Sequence, residues 1–376
     1  MTGVQTCALP ISIMLDGKIV KEAPLHSDVE IILDRTPFYA EGGGQLPDGG
    51  KITLSNGAVI EIDDVQSPIP GLYVHRGQVV KGLIEIDQKV LSQIDIERRL
   101  AISRAHTATH MVHKAFREVL GETATQAGSE NSPGRFRFDF PSSGAVPLSV
   151  LNEVEARVND LLIDNMSVTA KVMTQPEAKT LGAMALFGEK YGDQVRVVSV
   201  GDWAHELCGG THVKNSGELG LVKLISESSI GAGVRRVEAL VGTDAYNFLA
   251  REHIILDSLT ELIKGAQIEE LPERISDLLE KLKSAEKQIN EFKTARALEQ
   301  AKDLLNKRKS FGGFDAIVSE FASGISTDDL RTIALDLRKK IGDGVVTLMS
   351  KDEEKVSIVT TVGSKGRDSG IKANEI

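Results

Sequence analysis

The sequence contains little cysteine and no long apolar run. Cys7 and Cys208 are the only cysteines among 376 residues. A disulfide framework is therefore excluded, and Cys208 is available as a thiolate ligand. No segment approaches the roughly 18 apolar residues that predict a membrane-spanning helix. These absences predict a protein without membrane spans in a reducing, cytoplasmic compartment.

Positive charge is also in deficit. The chain has 44 Lys and Arg against 54 Asp and Glu, a formal net charge of −10. Such a chain does not coat nucleic acid with a broad basic surface, although local basic patches remain open.

Composition changes along the chain and predicts an α+β protein of several domains. Residues 1–12 lack the regions of a signal peptide, and we expect a non-native leader outside the fold. Residues 13–94, with short alternating apolar runs between Gly, Pro, Asp and Asn, are typical of a small β-rich, barrel-like domain. Residues 95–242 alternate helices with strands and predict an α+β domain, with one helix expected from Gln175 to Leu186.

The remaining segment predicts a helix followed by a small domain. Residues 243–311 include a stretch without Gly or Pro, and apolar residues occupy its a and d heptad positions. These residues are Ile275, Leu278, Leu282, Ala285, Ile289 and Phe292. We expect a long helix or coiled coil, one arm of a helical hairpin and a candidate homodimer contact. Residues 312–376 predict a small α/β domain that is truncated.

Two residue pairs predict one transition-metal site. His106 and His110 lie one helical turn apart, so they present two imidazoles on one face. Alone, such a pair equally predicts buried, hydrogen-bonded histidines. Cys208 and His212 add a thiolate and a third imidazole, and the four residues together predict zinc. His113, three residues beyond His110, lies about 60° around the helix from it, given ~100° per residue, and is predicted to be packed or to support a ligand.

Five ordered motifs resemble the editing part of alanyl-tRNA synthetases, which is shared with free-standing AlaX proteins. They are Arg35-Thr-Pro-Phe-Tyr-Ala-Glu-Gly-Gly-Gly-Gln45, Ala105-His-Thr-Ala-Thr-His110, Gln126-Ala-Gly-Ser129, Arg135-Phe-Arg-Phe-Asp-Phe140 and Cys208-Gly-Gly-Thr-His212. The resemblance is close from about Leu15 to Val241, and looser in the helical and terminal segments, which resemble a dimerising, tRNA-binding region.

The resemblance implies hydrolysis of the ester that joins serine or glycine to the 3′ end of alanine tRNA. The partner is then tRNA, and ATP and alanine are used only by a full-length parent with an aminoacylation domain. Zinc can activate water, polarise an oxygen or orient the substrate. Four protein ligands close a tetrahedral site, whereas catalytic zinc usually keeps one position open, so its role stays open.

Two further polar residues are candidates for the chemistry. Gln126 matches the glutamine of the family's Gln-x-Gly-Ser motif, where an amide can position water or a substrate hydroxyl without titrating. The alternative for Gln126 is an amide that caps a loop. Glu206 is a candidate general base or an anchor for a ligand imidazole.

A glycine-rich loop is a candidate for substrate contact. Gly42, Gly43 and Gly44 carry no side chains, so their backbone N–H groups can approach a ribose or an aminoacyl group. The alternative is a simple connection between two strands. The loop lacks the Lys-Ser/Thr of a P-loop.

Basic residues offer two candidate RNA contacts. Arg135 and Arg137 alternate with phenylalanines, so a strand places the rings in the core and the guanidinium groups opposite. These arginines either bind phosphates or form a salt-bridged surface. A second basic run predicts a solvated helix face or an RNA contact. It comprises Lys302, Lys307, Arg308 and Lys309.

Three functions are compatible with the sequence. The chain is part of an alanyl-tRNA synthetase that carries the editing activity, or a long AlaX-type hydrolase that acts in trans. The third function is that of an RNA-binding module with a purely structural zinc.

Overall fold

The computed structural model describes residues 4–184, 192–321, 325–351 and 355–376. The chain divides into two compact units, Met1–Ile254 and Ile255–Ile376. The fold is mixed, with helices and strands in both units. Among these residues, no helix combines the length and the apolar composition needed to cross a membrane.

The first unit begins with ten short strands. They are β1 (Gln5–Ala8), β2 (Pro10–Leu15), β3 (Lys18–Val20), β4 (Glu22–Ala23), β5 (Asp28–Leu33), β6 (Gly50–Leu54), β7 (Val59–Ile69), β8 (Leu72–Lys81), β9 (Ile84–Glu85) and β10 (Val90–Ile94). Eight form one antiparallel sheet in the order β1-β10-β6-β7-β8-β5-β2-β3, and β4 pairs with β9. Alternate side chains such as Val29, Ile31 and Leu33 are buried beneath this sheet, the pattern of a strand with one solvated face.

Two expectations for this region differ from the structure. The strands described form an open sheet whose edges, β1 and β3, are not paired with each other, so the predicted barrel is not closed. Alternation predicts strands, but closure depends on tilt and stagger that local sequence does not specify. Residues 4–12 were expected outside the fold, yet β1 pairs with β10 from Gln5 opposite Gln93 to Ala8 opposite Val90. Backbone groups along β10 supply the hydrogen bonds that this segment needs.

The rest of the first unit surrounds a long helix. Its elements are α1 (Ile96–Leu120), β11 (Gly128–Ser132), β12 (Arg135–Pro141), α2 (Leu148–Ile163), β13 (Val168–Thr174), α3 (Gln175–Thr180), β14 (Gln194–Val200), β15 (Ala204–Leu207), β16 (Val222–Gly231) and β17 (Val234–Val241). A 3-10 turn, Ser216–Leu219, precedes β16. The helix predicted from Gln175 ends at Thr180, and the last two residues of that prediction, 185 and 186, lie outside the described residues.

Helix α1 is fixed at its start and buried at its centre. Asp95 directly follows β10, and its carboxylate accepts a hydrogen bond from the Arg98 backbone N–H, which caps the helix. The buried face packs against the sheet β11-β12-β17-β16, where Phe136, Phe138 and Phe140 are fully buried. The rings of β12 therefore lie in the core, as predicted. A second sheet, β13-β14-β15, ends immediately before Cys208.

Helix α4 (Thr243–Leu262) crosses the division between the units, and the second unit continues as an α/β arrangement. It contains α5 (Leu271–Leu304), β18 (Lys309–Phe311), β19 (Phe314–Phe321), α6 (Thr327–Ile341), β20 (Val345–Lys351), β21 (Val356–Val362) and α7 (Ser364–Asp368), with 3-10 turns at Ile268–Glu270 and Leu305–Lys307. The sheet order is β18-β19-β20-β21, and β19 and β20 are parallel. Such a pair requires a crossover, which α6 provides.

The predicted long helix is present as α5. Ala297, Ala301 and Leu304, at its C-terminal end, join the core of the second unit. The six predicted heptad residues are exposed on this helix. A coiled-coil partner for them stays a prediction.

Candidate metal centre

The four predicted ligands meet in space. One ligand atom from each of His106, His110, Cys208 and His212 lies within 4.8 Å of all the others. The Sγ atom of Cys208 is 3.4 Å from Nε2 of His106 and 3.3 Å from Nε2 of His212. The two sequence segments, about a hundred residues apart, therefore form one cluster.

Local structure explains how each half of the cluster is presented. His106 and His110 are buried on one face of α1, four residues apart, as the helical period requires. Cys208 follows β15, and the loop that it begins is held by Arg196. One terminal nitrogen of Arg196 donates to the carbonyl oxygens of Cys208 and Gly210, at 2.6 and 2.9 Å.

Glu206 orients one ligand and its neighbour. One carboxylate oxygen accepts a hydrogen bond from Nδ1 of His110, and the other accepts one from Nδ1 of His113 at 2.9 Å. Glu206 is only 1% exposed. With both oxygens bound to imidazoles, Glu206 has the contacts of an anchor, the second of its two predicted roles. His113 packs against Phe138 and is not among the four converging residues, which agrees with its predicted place.

The other two imidazoles are also held at Nδ1. Nδ1 of His106 is 2.8 Å from Oε1 of Gln45, and Nδ1 of His212 is 3.2 Å from Oγ1 of Thr107. The Thr107 hydroxyl already donates to the Ser103 carbonyl oxygen at 2.8 Å, so it accepts from His212. Protons on the Nδ1 atoms leave the Nε2 lone pairs directed at the centre, which is the tautomer that a metal requires.

Cys208 and His212 have the protonation states that a bound cation requires. Burial raises the pKa of the Cys208 thiol, but the adjacent His106 and His212 outweigh this and bring it well below its usual range. Burial lowers the pKa of His212 to about 3, despite the attraction of Cys208. Burial also opposes the charges of Glu206 and His110, but their mutual attraction prevails, so the pKa of Glu206 falls to about 2 and that of His110 rises to about 10. A thiolate and a neutral imidazole are the ligand forms of Cys208 and His212.

The donor set fits a zinc ion. Nε2 of His110 is buried and has no hydrogen-bond partner among the described residues, although it points into a polar cluster. Such an atom is costly unless a proton or a metal occupies its lone pair. Three imidazoles and one thiolate are donors that zinc takes in tetrahedral sites. The residues present would therefore hold such an ion.

The glycine loop and Gln126 are adjacent to each other. Gly42 and Gln45 exchange backbone hydrogen bonds of 3.2 and 3.0 Å around Gly43 and Gly44, whose φ angles of 57° and 75° are those of a tight type I′ turn. A Cβ atom on Gly44 would lie 2.4 Å from Oγ of Ser129. Gln126 donates to that Oγ atom at 2.9 Å. Ser129 thus connects the loop with Gln126, while no described hydrogen bond joins Gln126 to the four ligands.

The predicted arginines are ion-paired, and no described contact joins them to the four converging residues. Arg135 contacts Glu238 at 2.6 Å, and Arg137 contacts Glu130 at 3.2 Å. These pairs belong to the partly exposed face of the sheet, which is the salt-bridged alternative. The basic run in the second unit is exposed, and Arg308 lies 3.8 Å from Asp315. Contact of either group with RNA stays a prediction.

Comparison with known proteins identifies the family. Residues 195–238 match the family described as threonyl and alanyl tRNA synthetase second additional domain, and residues 3–98 match tRNA synthetases class II (A). The chain is 54% identical over 366 residues to the alanine–tRNA ligase of Acidothermus cellulolyticus, covering 97% of this chain and 41% of that relative. It is 56% identical over 363 residues to that of a Nocardioides species, covering 96% and 40%.

The chain belongs to the alanine–tRNA ligase family. It spans about two fifths of the length of these relatives. The alanine–tRNA ligase resemblance expected from the five motifs is thereby confirmed. The match to the second additional domain includes Cys208, His212 and Glu206, so two of the four converging residues lie in a segment that resembles a domain of threonyl and alanyl synthetases.

Sequence reasoning found Glu206 but missed Gln45 and Thr107, which contact two of the imidazoles, and Thr211, which holds Gln45. Gln45 closes the glycine motif, Thr107 lies between the two helical histidines, and Thr211 lies between Cys208 and His212. Each of these residues lies within one of the five motifs quoted above, but none was singled out. The signal was the polar residue beside each ligand, because a metal-bound imidazole usually donates its other N–H group to an acceptor.

Proposed function

We propose that this chain carries the editing activity of an alanyl-tRNA synthetase, the hydrolysis of seryl or glycyl esters at the 3′ end of alanine tRNA. The observation that carries the proposal is the convergence of His106, His110, Cys208 and His212 within 4.8 Å. It occurs in a chain related to alanine–tRNA ligases and matching the second additional domain of alanyl and threonyl synthetases.

The reaction needs a polarised carbonyl, a positioned water and a leaving ribose hydroxyl. Bound to these four residues, zinc would supply a Lewis acid and a fixed positive charge that stabilises negative oxygen or orients the substrate. Glu206, Gln45 and Thr107 keep the imidazoles directed inward. The residues around the centre thus set its geometry before substrate arrives.

In this proposal the substrate binds beside the glycine turn and Gln126. The Gly42–Gln45 turn brings backbone close to Ser129, and Gln126 bonds to the same side chain. An amide at this place holds water or a substrate hydroxyl through hydrogen bonds and changes no charge over the working pH range. In this proposal Gln126 positions a reactant, and it does not transfer a proton.

The test is a deacylation assay with metal content measured in parallel. Wild-type chain, Gln126→Ala and Cys208→Ala are each incubated with seryl-tRNA(Ala) and with correctly charged alanyl-tRNA(Ala). We expect wild type to release serine much faster than alanine, Gln126→Ala to be slow with its metal retained, and Cys208→Ala to lose both metal and activity. Absence of deacylation by folded, zinc-loaded wild type would contradict the proposal.

A second function is supported by the complete donor set. Four protein ligands fill a tetrahedral site, which is typical of structural zinc. The chain would then bind tRNA without hydrolysing its ester. Retained tRNA binding together with absent deacylation would favour this function. An AlaX-type hydrolase gives the same assay result as the first proposal and is distinguished by whether the reading frame encodes an aminoacylation domain.

A further inference from the structure

Gln45 reaches from the glycine turn into the metal centre. Its side chain is fully buried, at 0% exposure, although it is an uncharged polar group. It makes three short contacts. Oε1 is 2.8 Å from Nδ1 of His106 and 2.8 Å from the backbone nitrogen of Thr211, and Nε2 is 2.9 Å from Oγ1 of Thr211. A buried amide whose oxygen and nitrogen both have hydrogen-bond partners is held in one orientation.

The surroundings fix which way this amide points. The backbone N–H of Thr211 can only donate, so the atom that faces it must be the carbonyl oxygen of Gln45. The amide nitrogen then donates to the Thr211 hydroxyl, which also accepts from Ser103 at 2.8 Å. The orientation follows from the donor at Thr211 alone and holds whatever the state of His106.

This orientation determines the tautomer of His106. Because Oε1 of Gln45 is an acceptor, Nδ1 of His106 carries the proton, and its Nε2 atom presents a lone pair toward Cys208. His106 is therefore the one ligand whose state is set by the β-rich part of the first unit. The acceptors for His110 and His212, Glu206 and Thr107, lie in the segment that begins with α1.

The contact between Gln45 and His106 leaves no space for a side chain at Gly210. A Cβ atom on Gly210 would lie 2.4 Å from Nδ1 of His106 and 2.7 Å from Oε1 of Gln45. On the turn itself, Gly44 is held by Asn131, whose backbone nitrogen donates to the Gly44 carbonyl oxygen at 2.6 Å. The turn is thus tied to β11 at one residue and to the metal ligand at the next.

We infer that Gln45 is a positioning residue that couples the glycine turn to the metal centre. It holds His106 with Nδ1 protonated and Nε2 directed inward, and it keeps the turn at a constant distance from that imidazole. Displacing the turn therefore loosens a ligand, and losing the ligand removes one of the contacts that hold the turn. The deacylation arm of the test rests on the proposed function, but the metal and tautomer arms do not.

The first measurement is made on the wild-type chain and leaves Gln45 in place. ¹⁵N NMR of the zinc-loaded wild-type chain, with the His106 resonances assigned by comparison with His106→Gln, reports the state of each ring nitrogen. We expect a protonated Nδ1 and a metal-shifted Nε2. A His106 ring that carries its proton on Nε2 would overturn the inference.

The second measurement compares three variants of one residue type. Gln45→Leu removes every side-chain hydrogen bond of this residue, and Gln45→Glu keeps an acceptor for His106 and Thr211. Gln78→Leu is the control, because it makes the same Gln-to-Leu change at an exposed position of β8. Zinc affinity is measured against a chromophoric chelator, and Co²⁺-loaded samples are compared by their visible absorption bands. We expect Gln45→Leu to bind zinc about 10- to 100-fold more weakly with shifted Co²⁺ bands. Gln45→Glu should recover most of the affinity, and Gln78→Leu should match wild type.

Each outcome bears on the inference. Unchanged zinc affinity and Co²⁺ bands in folded Gln45→Leu would refute it, as would a Gln45→Glu variant no better than Gln45→Leu. If Gln45→Leu does not fold, the NMR result decides together with the zinc affinity of Gln45→Glu relative to wild type. At saturating zinc we expect Gln45→Leu to deacylate seryl-tRNA on the order of 10²-fold more slowly, because the turn is displaced. Wild type that lacks deacylation but shows the expected metal and NMR results would contradict only the proposed function.

Discussion

The Asp48 carboxylate accepts hydrogen bonds from Nε of Arg99 at both oxygens, at 2.8 and 2.9 Å. Asp48 is fully buried, and Arg99 is 11% exposed in its side chain. The same carboxylate accepts from the Tyr39 backbone N–H at 2.7 Å, and Arg99 also donates to the Pro37 carbonyl oxygen at 2.9 Å. This ion pair fastens the segment around the glycine turn to the first turn of α1.

Removing Asp48 should strongly destabilise the first unit. Asp48→Ala leaves the Arg99 guanidinium without its charged partner, and we expect the free energy of unfolding to fall by about 3–5 kcal/mol. Trp203, the only tryptophan, is partly buried against the core of this unit and reports its unfolding by fluorescence in urea. Arg76→Ala, which breaks partly exposed pairs with Glu30 and Asp64, is the control and should cost about 1 kcal/mol or less. Equal losses in the two variants would contradict the prediction.

Loss of one metal ligand should remove both metal and stability. In Cys208→Ser we expect bound zinc, measured by elemental analysis of dialysed protein, to fall well below one equivalent. Because binding to the folded state alone stabilises that state, a chelator should lower the melting temperature of wild type more than that of Cys208→Ser. His205, on the strand that precedes Cys208, contacts Ser199 and is not among the four converging residues. The control variant His205→Gln should therefore keep its zinc. Full occupancy in Cys208→Ser would remove this residue from the ligand set.

Glu206→Gln separates the two roles expected of this residue. An amide cannot accept from His110 and His113 with both of its heavy atoms, so an anchoring Glu206 predicts zinc binding weakened by about 10- to 100-fold. A general base predicts the opposite pattern, in which zinc affinity is kept and the deacylation rate falls at every metal concentration. Chelator competition followed by deacylation at saturating zinc distinguishes the two.

Adjacent glycines of the turn should differ in their tolerance of alanine. Gly43 has a positive φ but open space where a Cβ atom would be, so Gly43→Ala should cost roughly 1–2 kcal/mol for its backbone conformation alone. Gly44→Ala meets Oγ and the carbonyl oxygen of Ser129 at 2.4 and 2.6 Å, and overpacking should add about 1–3 kcal/mol. Urea unfolding followed by Trp203 fluorescence measures both. A Gly44→Ala variant as stable as Gly43→Ala would contradict the close approach.

The exposed apolar positions of α5 predict self-association. Leu282 and Ile289, each 56% exposed, lie seven residues apart and occupy the same heptad position. We expect the chain to sediment as a dimer at micromolar concentration, and Leu282→Lys with Ile289→Lys to sediment as a monomer. Lys283→Ala, on the same helix but outside the apolar a and d positions, should remain dimeric. Monomeric wild type would exclude the homodimer contact proposed for this segment.

Local patterns predicted the elements that depend on neighbouring residues. The four-residue spacing of His106 and His110 placed both on one face of α1, and the alternation in β12 placed Phe136 and Phe138 in the core. What local patterns do not contain is pairing between distant segments. The neighbours β1 and β10 meet at Gln5 and Gln93, and nothing within either strand specifies the other.

The same limit applied to the metal centre. His106 is 61 residues from Gln45, and its acceptor could not be chosen before the glycine turn had a position. The ion pairs of Arg135 and Arg137 likewise depend on Glu238 and Glu130, which lie on other strands, outside the motif that contains the two arginines. The four residues that converge were recognisable from the sequence, whereas the contacts of Gln45 and Thr107 with two of them required the fold.

Helix α1 carries Arg99 and His106 on one continuous stretch, so their relative direction depends on the number of residues between them. Each residue in an α-helix adds about 100° of rotation and 1.5 Å of rise. Deleting or inserting one residue between these positions would turn the metal ligand by more than a quarter of a circle while the Asp48 contact stayed in place. This interval should therefore accept no change of length.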